Sequence, residues 1–189
     1  VTFIVSLGGN IFKYIHADLQ RSLYLKYGEN ASLTVLSKIL GLINFRFWPI
    51  LNYRASHFFY SNNCRFIARV FAIINFVIFG IEISPKCSIG GGLYLPHTQG
   101  TVIGAYSIGK NATIFQGVTL GSKKLDFHYL QSNRPIIGDD VLIGSGAKVL
   151  GGITIGSGVV VAANSLVLES LPDLAVAIGV PAKVHKIDT

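Results

Sequence analysis

The chain has no methionine, one tryptophan, two cysteines and only nine acidic residues among 189. With no Met anywhere, Val1 reads as a trimmed end or an alternative start. Cys64 and Cys87 are too few for a disulfide framework, so a reducing compartment is expected and neither thiol reads as catalytic. Charged residues make up 13% and hydrophobic ones 50%, a balance that excludes a disordered chain. Val1 to Leu7 is apolar but short, without a basic leader or cleavage site, and does not read as a secretory signal. Carboxylates are scarcest in the first half. Residues 1–80 carry eight Lys and Arg against Asp18 and Glu29, which is +6 of the total +7. No helix-turn-helix, zinc-finger or RNP pattern accompanies that excess, so nucleic acid is set aside; an anionic membrane surface stays open.

Glycine, at 21 residues, is abundant, and it is periodic. Ile137, Ile143, Val149, Ile155, Val161 and Val167 recur at every sixth position, with Gly138, Gly144, Gly156 and Ala162 directly after four of them. Helical spacing would scatter these aliphatics around a cylinder, whereas a short strand and a corner, repeated, turn every one inward. Three flat faces close one coil of about eighteen residues, and stacked coils share backbone hydrogen bonds at the usual ~4.8 Å strand spacing, giving a parallel β-solenoid. The step begins at Ile83, Ile89 and Leu95, admits one inserted residue, and resumes at Val102, Ile108, Ile114 and Leu120. Cys87 occupies an inward fifth place. Residues 121–135 lack the period and should leave the prism as an extended loop, and residues 171–189 should cap the last coil.

The first eighty residues read as helical. Apolar spacing marks a helix over Tyr14–Tyr27, ended by Gly28 to Asn30; Ser32 is a candidate cap for a second, which Pro49 should interrupt before it resumes to Tyr60. A third runs from near Asn63 to Gly80. Its apolar stretch Val70–Phe79 falls short of the ~20 residues that span a bilayer, so burial against the solenoid end or a partner subunit is expected.

Ile81–Pro85, Leu95–Gly100, Phe115–Gly121, Ile143–Gly151 and Gly179–Lys183 together resemble the serine acetyltransferase family and its capsular and exopolysaccharide O-acetyltransferase relatives. The resemblance covers roughly residues 60 to 185 and implies a mainly β fold, a left-handed parallel β-helix with an N-terminal α-helical region. It also implies acetyl-CoA as donor and a homotrimer, or a dimer of trimers, with active sites between neighbouring subunits.

Acetyl transfer from a thioester to a hydroxyl needs a base, a group that orients the base, and donors for the oxyanion. His97 is the third residue of its six-residue unit and points outward, and histidine is the side chain that titrates near neutrality. Glu82, fifteen residues earlier, also points outward and falls three short of a full coil. An Asp and a His pair at these places in the family, and Glu stands here for Asp. The resemblance assigns the donor path to Gly121, Ser122, Ser145 and Ala163, with Lys183, and less strongly Lys148, for the CoA phosphates. It aligns Asn133 and Arg134 with an Arg-His substrate pair, and His128, in the same extended loop, is a further candidate to approach substrate. Metal sites on this fold need a trio of histidines; only His97 and His128 lie in the coils, so no metal is expected.

The acceptor is where the family pattern breaks. Pro96 stands where an Asp precedes the catalytic His, and Asn133 where the carboxylate-binding Arg lies, although Arg134 alone could still take a carboxylate. Phe127, His128 and Tyr129 suit a sugar ring. The expected activity is therefore O-acetylation of a sugar hydroxyl in surface polysaccharide assembly, in the cytoplasm and at the inner membrane surface if the basic region meets lipid or a lipid-linked glycan. Serine O-acetylation and a non-catalytic scaffold are the alternatives.

Overall fold

A computed structural model describes residues 2–28, 41 and 43–185. Helix α1 spans Thr2–Tyr27, a dozen residues longer at its start than the apolar spacing indicates, and Gly28 at φ 71° ends it. Ser32 lies outside the described residues. A 3-10 turn, Phe45–Phe47, leads into α2, Trp48–Ser61. Pro49 does not interrupt this helix but opens it: in the first turn its missing N–H has no partner to lose. Helix α3, Arg65–Phe79, stops at Gly80 in the left-handed region. No described helix is long and apolar enough to cross a membrane.

Helix α3 buries Ala68, Asn75 and Phe79 on one stripe, while Phe66, Val70, Ile73 and Val77, on the opposite side, are 82%, 41%, 53% and 71% exposed. The buried stripe is tied to α2, where the Ser56 hydroxyl donates to the Ala68 carbonyl and the Asn75 side-chain amide to the Pro49 carbonyl.

Three parallel sheets follow, built from strands of two to four residues. The first stacks β1 (Ile81–Ile83), β3 (Thr101–Ile103), β6 (Thr119–Gly121), β9 (Lys148–Leu150) and β12 (Leu166–Val167). The second stacks β2 (Ser88–Ile89), β4 (Ser107–Ile108), β7 (Ile136–Ile137) and β10 (Thr154–Ile155). The third stacks β5 (Thr113–Ile114), β8 (Leu142–Ile143), β11 (Val160–Val161) and β13 (Val176–Gly179), closed by antiparallel β14 (Ala182–His185). Leu171 still bridges Ile155 and Ala177 still pairs Val161, so the last coil reaches into the segment expected to be cap.

One register differs. Val102 faces out and Ile103 is buried opposite Ile83, because the chain takes eight residues from Leu95 to Ile103 and then only five to Ile108. Inside, every coil contributes a layer of aliphatics such as Leu120, Ile143 and Ile155, all fully buried; truncating one to Ala costs about 2–5 kcal/mol.

Two of the three corners carry columns of left-handed residues, and that between the second and third sheets holds Gly92, Asn111, Asp140 and Gly158. At the corner between the third and first sheets, Gly100, Gly117, Gly146 and Asn164 stack with φ of 71°, 70°, 72° and 58°, values that favour Gly and admit Asn. Each coil hangs from the one before it: the amides of Gly117, Gly146 and Asn164 donate to the carbonyls of Gln99, Gln116 and Ser145. The corner between the first and second sheets has no such column, and there the chain departs. Leu120 pairs Val149, 29 residues on, whereas Val149 pairs Val167, 18 residues on, so 11 extra residues leave after β6.

The helices are docked through a buried ion pair. Arg54 of α2 meets Asp18 of α1 through two hydrogen bonds, 2.8 and 2.9 Å, and also donates to the Ile89 and Gly90 carbonyls. Asp18 accepts in turn from the Gly92 and Leu93 amides. Beside them the Tyr53 hydroxyl donates to the Cys87 carbonyl at 2.7 Å and accepts from the Ile89 amide at 3.1 Å.

Candidate active site

His97 lies in the turn that leads into β3, exposed, and that turn is tied to the end of α3. The Thr98 hydroxyl donates to the Phe79 carbonyl at 2.7 Å and the Gly100 amide to the Gly80 carbonyl at 2.9 Å. Glu82 follows two residues after Gly80 on β1, facing outward beside Val102. The fold therefore brings both to one corner of the first coil. Neither side chain takes a hydrogen bond or ion pair among the described residues, so the expected Glu82–His97 contact is not formed in the single chain.

A cavity of about 310 Å³ opens beside His97, walled by Phe45, Pro49, Phe79, Leu95 and Pro96, with Arg46 at its edge. Below His97 runs the corner column. Gln99, Gln116, Ser145 and Asn164 succeed one another down it through the hydrogen bonds already described, with Ala163 exposed beside Asn164. Ser145 and Ala163 thus lie on one line leading from His97 towards the strand β14 that carries the exposed Lys183. Lys148 is already engaged, its ammonium donating to the Gly117 carbonyl at 2.6 Å.

Gly121 and Ser122 are elsewhere, on the other edge of the first sheet, where the long loop departs. A side chain at Gly121 would meet open space, and the Ser122 hydroxyl donates to the Lys124 carbonyl at 2.6 Å. One prism does not bring them to the line of Ser145 and Ala163.

The loop holds the largest departure from expectation. Arg134, aligned with a substrate-binding position, is tied into the loop: its Nε donates to Asp126 at 2.7 Å, Nη1 to the Gly104 carbonyl at 2.7 Å and Nη2 to the Asp126 carbonyl at 3.1 Å. Its guanidinium lies 3.9 Å from the centre of the Tyr129 ring, and the Tyr129 hydroxyl donates to the Ala105 carbonyl at 2.6 Å. Tyr129 is folded down on the prism and offers no face to a sugar. Burial would raise the Asp126 carboxyl, but Arg134 and the amides of Leu130 and Tyr129 outweigh it and hold the group below the usual carboxylate range. Asn133 is half-buried at the end of the 3-10 turn Gln131–Asn133, whereas His128, like Phe127, is exposed at the tip. The Ser132 carbonyl packs so close over Gly152 that any side chain there would collide with it.

Cys87 and His57 are structural. Burial pushes the Cys87 thiol up to about 12, as suits an inward core residue. Burial lowers His57, whose Nδ1 lies 2.9 Å from the Pro85 carbonyl. Among the described residues no three His, Cys, Asp or Glu side chains gather closely enough to share a metal ion.

Residues 134–169 match the bacterial transferase hexapeptide family of six repeats. A serine acetyltransferase of Staphylococcus aureus is 41% identical over 179 residues, which are 94% of this chain and 80% of that one. The chain belongs to the serine acetyltransferase family. A Bacillus pumilus serine acetyltransferase is also 41% identical, over 133 residues, and this chain spans 60% of its length. The solved serine acetyltransferase of Neisseria gonorrhoeae superposes with a TM-score of 0.80 at 31% identity, covering 96% of this chain and 67% of that one. The family fold is a left-handed parallel β-helix of hexapeptide repeats, and the three sheets here are its faces. These relatives overturn the expected sugar acceptor: serine acetyltransferases match nearly the whole chain, and the loop aromatic Tyr129 is engaged by Arg134. Arg46 and Asp126 enter the sequence reading only as charges; their signal is Arg46 set between Phe45 and Phe47, and Asp126 eight residues before Arg134.

Proposed function

We propose that this member of the serine acetyltransferase family transfers the acetyl group of acetyl-CoA to the hydroxyl of L-serine. The observation that carries the reading is His97, an imidazole without a partner among the described residues, beside a cavity and at the head of the open corner column. His97 takes the proton of the serine hydroxyl, whose oxygen attacks the thioester carbonyl; the tetrahedral oxyanion collapses, the C–S bond breaks, and the imidazolium returns the proton to the CoA thiolate. Glu82 orients the imidazole and offsets its charge as it becomes cationic. Small side chains at Ser145 and Ala163 leave room for the pantetheine arm, and Lys183 faces the phosphates. Solved serine acetyltransferases in complex with serine and with CoA superpose on this chain at TM-scores of 0.77.

A homotrimer completes the site in this reading. Gly121 and Ser122 meet the line of Ser145 and Ala163 only if a neighbouring prism supplies one of the two edges, and the apolar outer stripe of α3 is the kind of surface a second copy covers. Light scattering at micromolar concentration should give three times the chain mass, and a monomer overturns the assembly. Co-sedimentation with anionic vesicles would instead assign the α3 stripe to lipid. The few free thiols support a cytoplasmic location.

The activity test is steady-state thiol release with L-serine as acceptor. A kcat/KM of ~10⁴ M⁻¹s⁻¹ or higher is expected, and no serine-dependent release overturns the reading.

A further inference from the structure

We infer that Arg46 binds the carboxylate of the acceptor amino acid, in place of the loop arginine. The inference rests on serine as acceptor. A free amino acid such as serine brings a carboxylate into the cavity with its hydroxyl, the carboxyl carbon only three bonds from the hydroxyl oxygen, so a cation must sit in the same cavity as the base. Arg134 cannot serve, since Asp126, the Gly104 carbonyl and the Tyr129 ring already hold its guanidinium.

Arg46 meets the requirement. It lines the cavity of about 310 Å³ that His97 also lines, and among the described residues no carboxylate lines that cavity. Its backbone is fixed on both sides: the Asn44 side chain accepts from the Arg46 amide at 3.1 Å, Phe47 is 2% exposed, and the Phe45 ring lies 5.1 Å from that of Phe79. The Arg46 side chain itself is exposed and has no hydrogen bond or ion pair among the described residues. A guanidinium carries five donors in a fork that matches a carboxylate. The pinned turn thus holds an unengaged fork beside the candidate base. A phosphate of the donor is the other oxyanion within the chemistry, but the phosphates sit at the far end of the pantetheine arm from the reacting thioester.

The test compares wild type with Arg46→Met and Arg46→Lys, using L-serine, L-serine amide and acetyl-CoA. In Arg46→Met the KM for L-serine should rise about ten- to hundredfold, the range for a lost hydrogen-bonded charge, with kcat within about threefold and the KM for acetyl-CoA within about twofold. Wild type should prefer serine over its amide, and Arg46→Met should lose that preference; Arg46→Lys should recover part of it. An unchanged serine KM, or a preference that survives in Arg46→Met, overturns the assignment while leaving serine acetylation intact. A rise in the acetyl-CoA KM alone moves Arg46 to the donor and overturns it too. If wild type does not acetylate L-serine at all, both readings fall. Because Arg46 is exposed, an unchanged melting temperature verifies that the variants are folded.

Discussion

Asp18 and Arg54 lie 36 residues apart and meet inside the protein, with both side chains essentially inaccessible and every hydrogen bond beyond their own made to the first coil. The carboxylate takes two guanidinium donors and two backbone amides; the guanidinium takes two carbonyls besides. The pair is the joint between the helices and the prism. It fixes α1 and α2 against Ile89 to Leu93, and the 3-10 turn that carries Arg46 leads directly into α2.

Breaking the joint from one side should be severe. Arg54→Met leaves a buried, uncompensated carboxylate and should destabilise the fold by about 3–5 kcal/mol, read from urea unfolding. The double variant Asp18→Leu with Arg54→Met removes both charges and should recover a large part of the loss. Equal stability of wild type and Arg54→Met would show that the pair does not hold the helices.

His97→Ala should lower kcat roughly a hundredfold or more while leaving acetyl-CoA binding, measured by calorimetry, nearly unchanged. Glu82→Gln should be milder, since it removes charge but keeps a hydrogen-bonding arm. Full activity in His97→Ala would end its role as base.

The Asp126–Arg134 contact should make the loop sensitive to acid. The folded carboxyl lies below its unfolded value, so its contribution is complete above the unfolded carboxylate range of about 3.9 and is lost as pH falls through the lower folded value. Asp126→Asn mimics the protonated state at neutral pH. Limited proteolysis should cut residues 121–135 faster in that variant than in wild type at pH 7, with the prism itself intact. Equal cleavage rates would mean that the ion pair does not order the loop.

Thiol labelling separates the two cysteines. Cys64 is exposed and should react with an aromatic disulfide reagent in the native protein, whereas Cys87, buried with its thiol pushed up to about 12, should react only after unfolding. Two native reactive thiols would contradict the placement of Cys87 in the core.

The six-residue step from Ile137 to Val167 was sufficient by itself to identify the solenoid, because an inward aliphatic and a small corner residue are local requirements repeated at fixed spacing. The same regularity marks residues 121–135 as a departure, and the short motifs from Ile81 to Lys183 carry the family resemblance. What stayed hidden was every relation between elements far apart in the chain. Local spacing places Val102 inward; the pairing of Ile83 with Ile103 turns it out, because register is decided by the neighbouring coil and not by the count. Asp18 reads as one carboxylate on a helix, and only packing makes it the partner of Arg54. Arg134 matches a substrate position in the linear order, yet Asp126, eight residues before it, and Gly104, thirty residues before it, claim its guanidinium. Arg46 is one cation among eight in the first eighty residues until the turn at Phe45–Phe47 sets it in the cavity that His97 lines. Periodicity encodes what each residue faces within its own coil, while the partner of a charged side chain depends on which distant groups are desolvated with it, and that is decided only when the chain has folded.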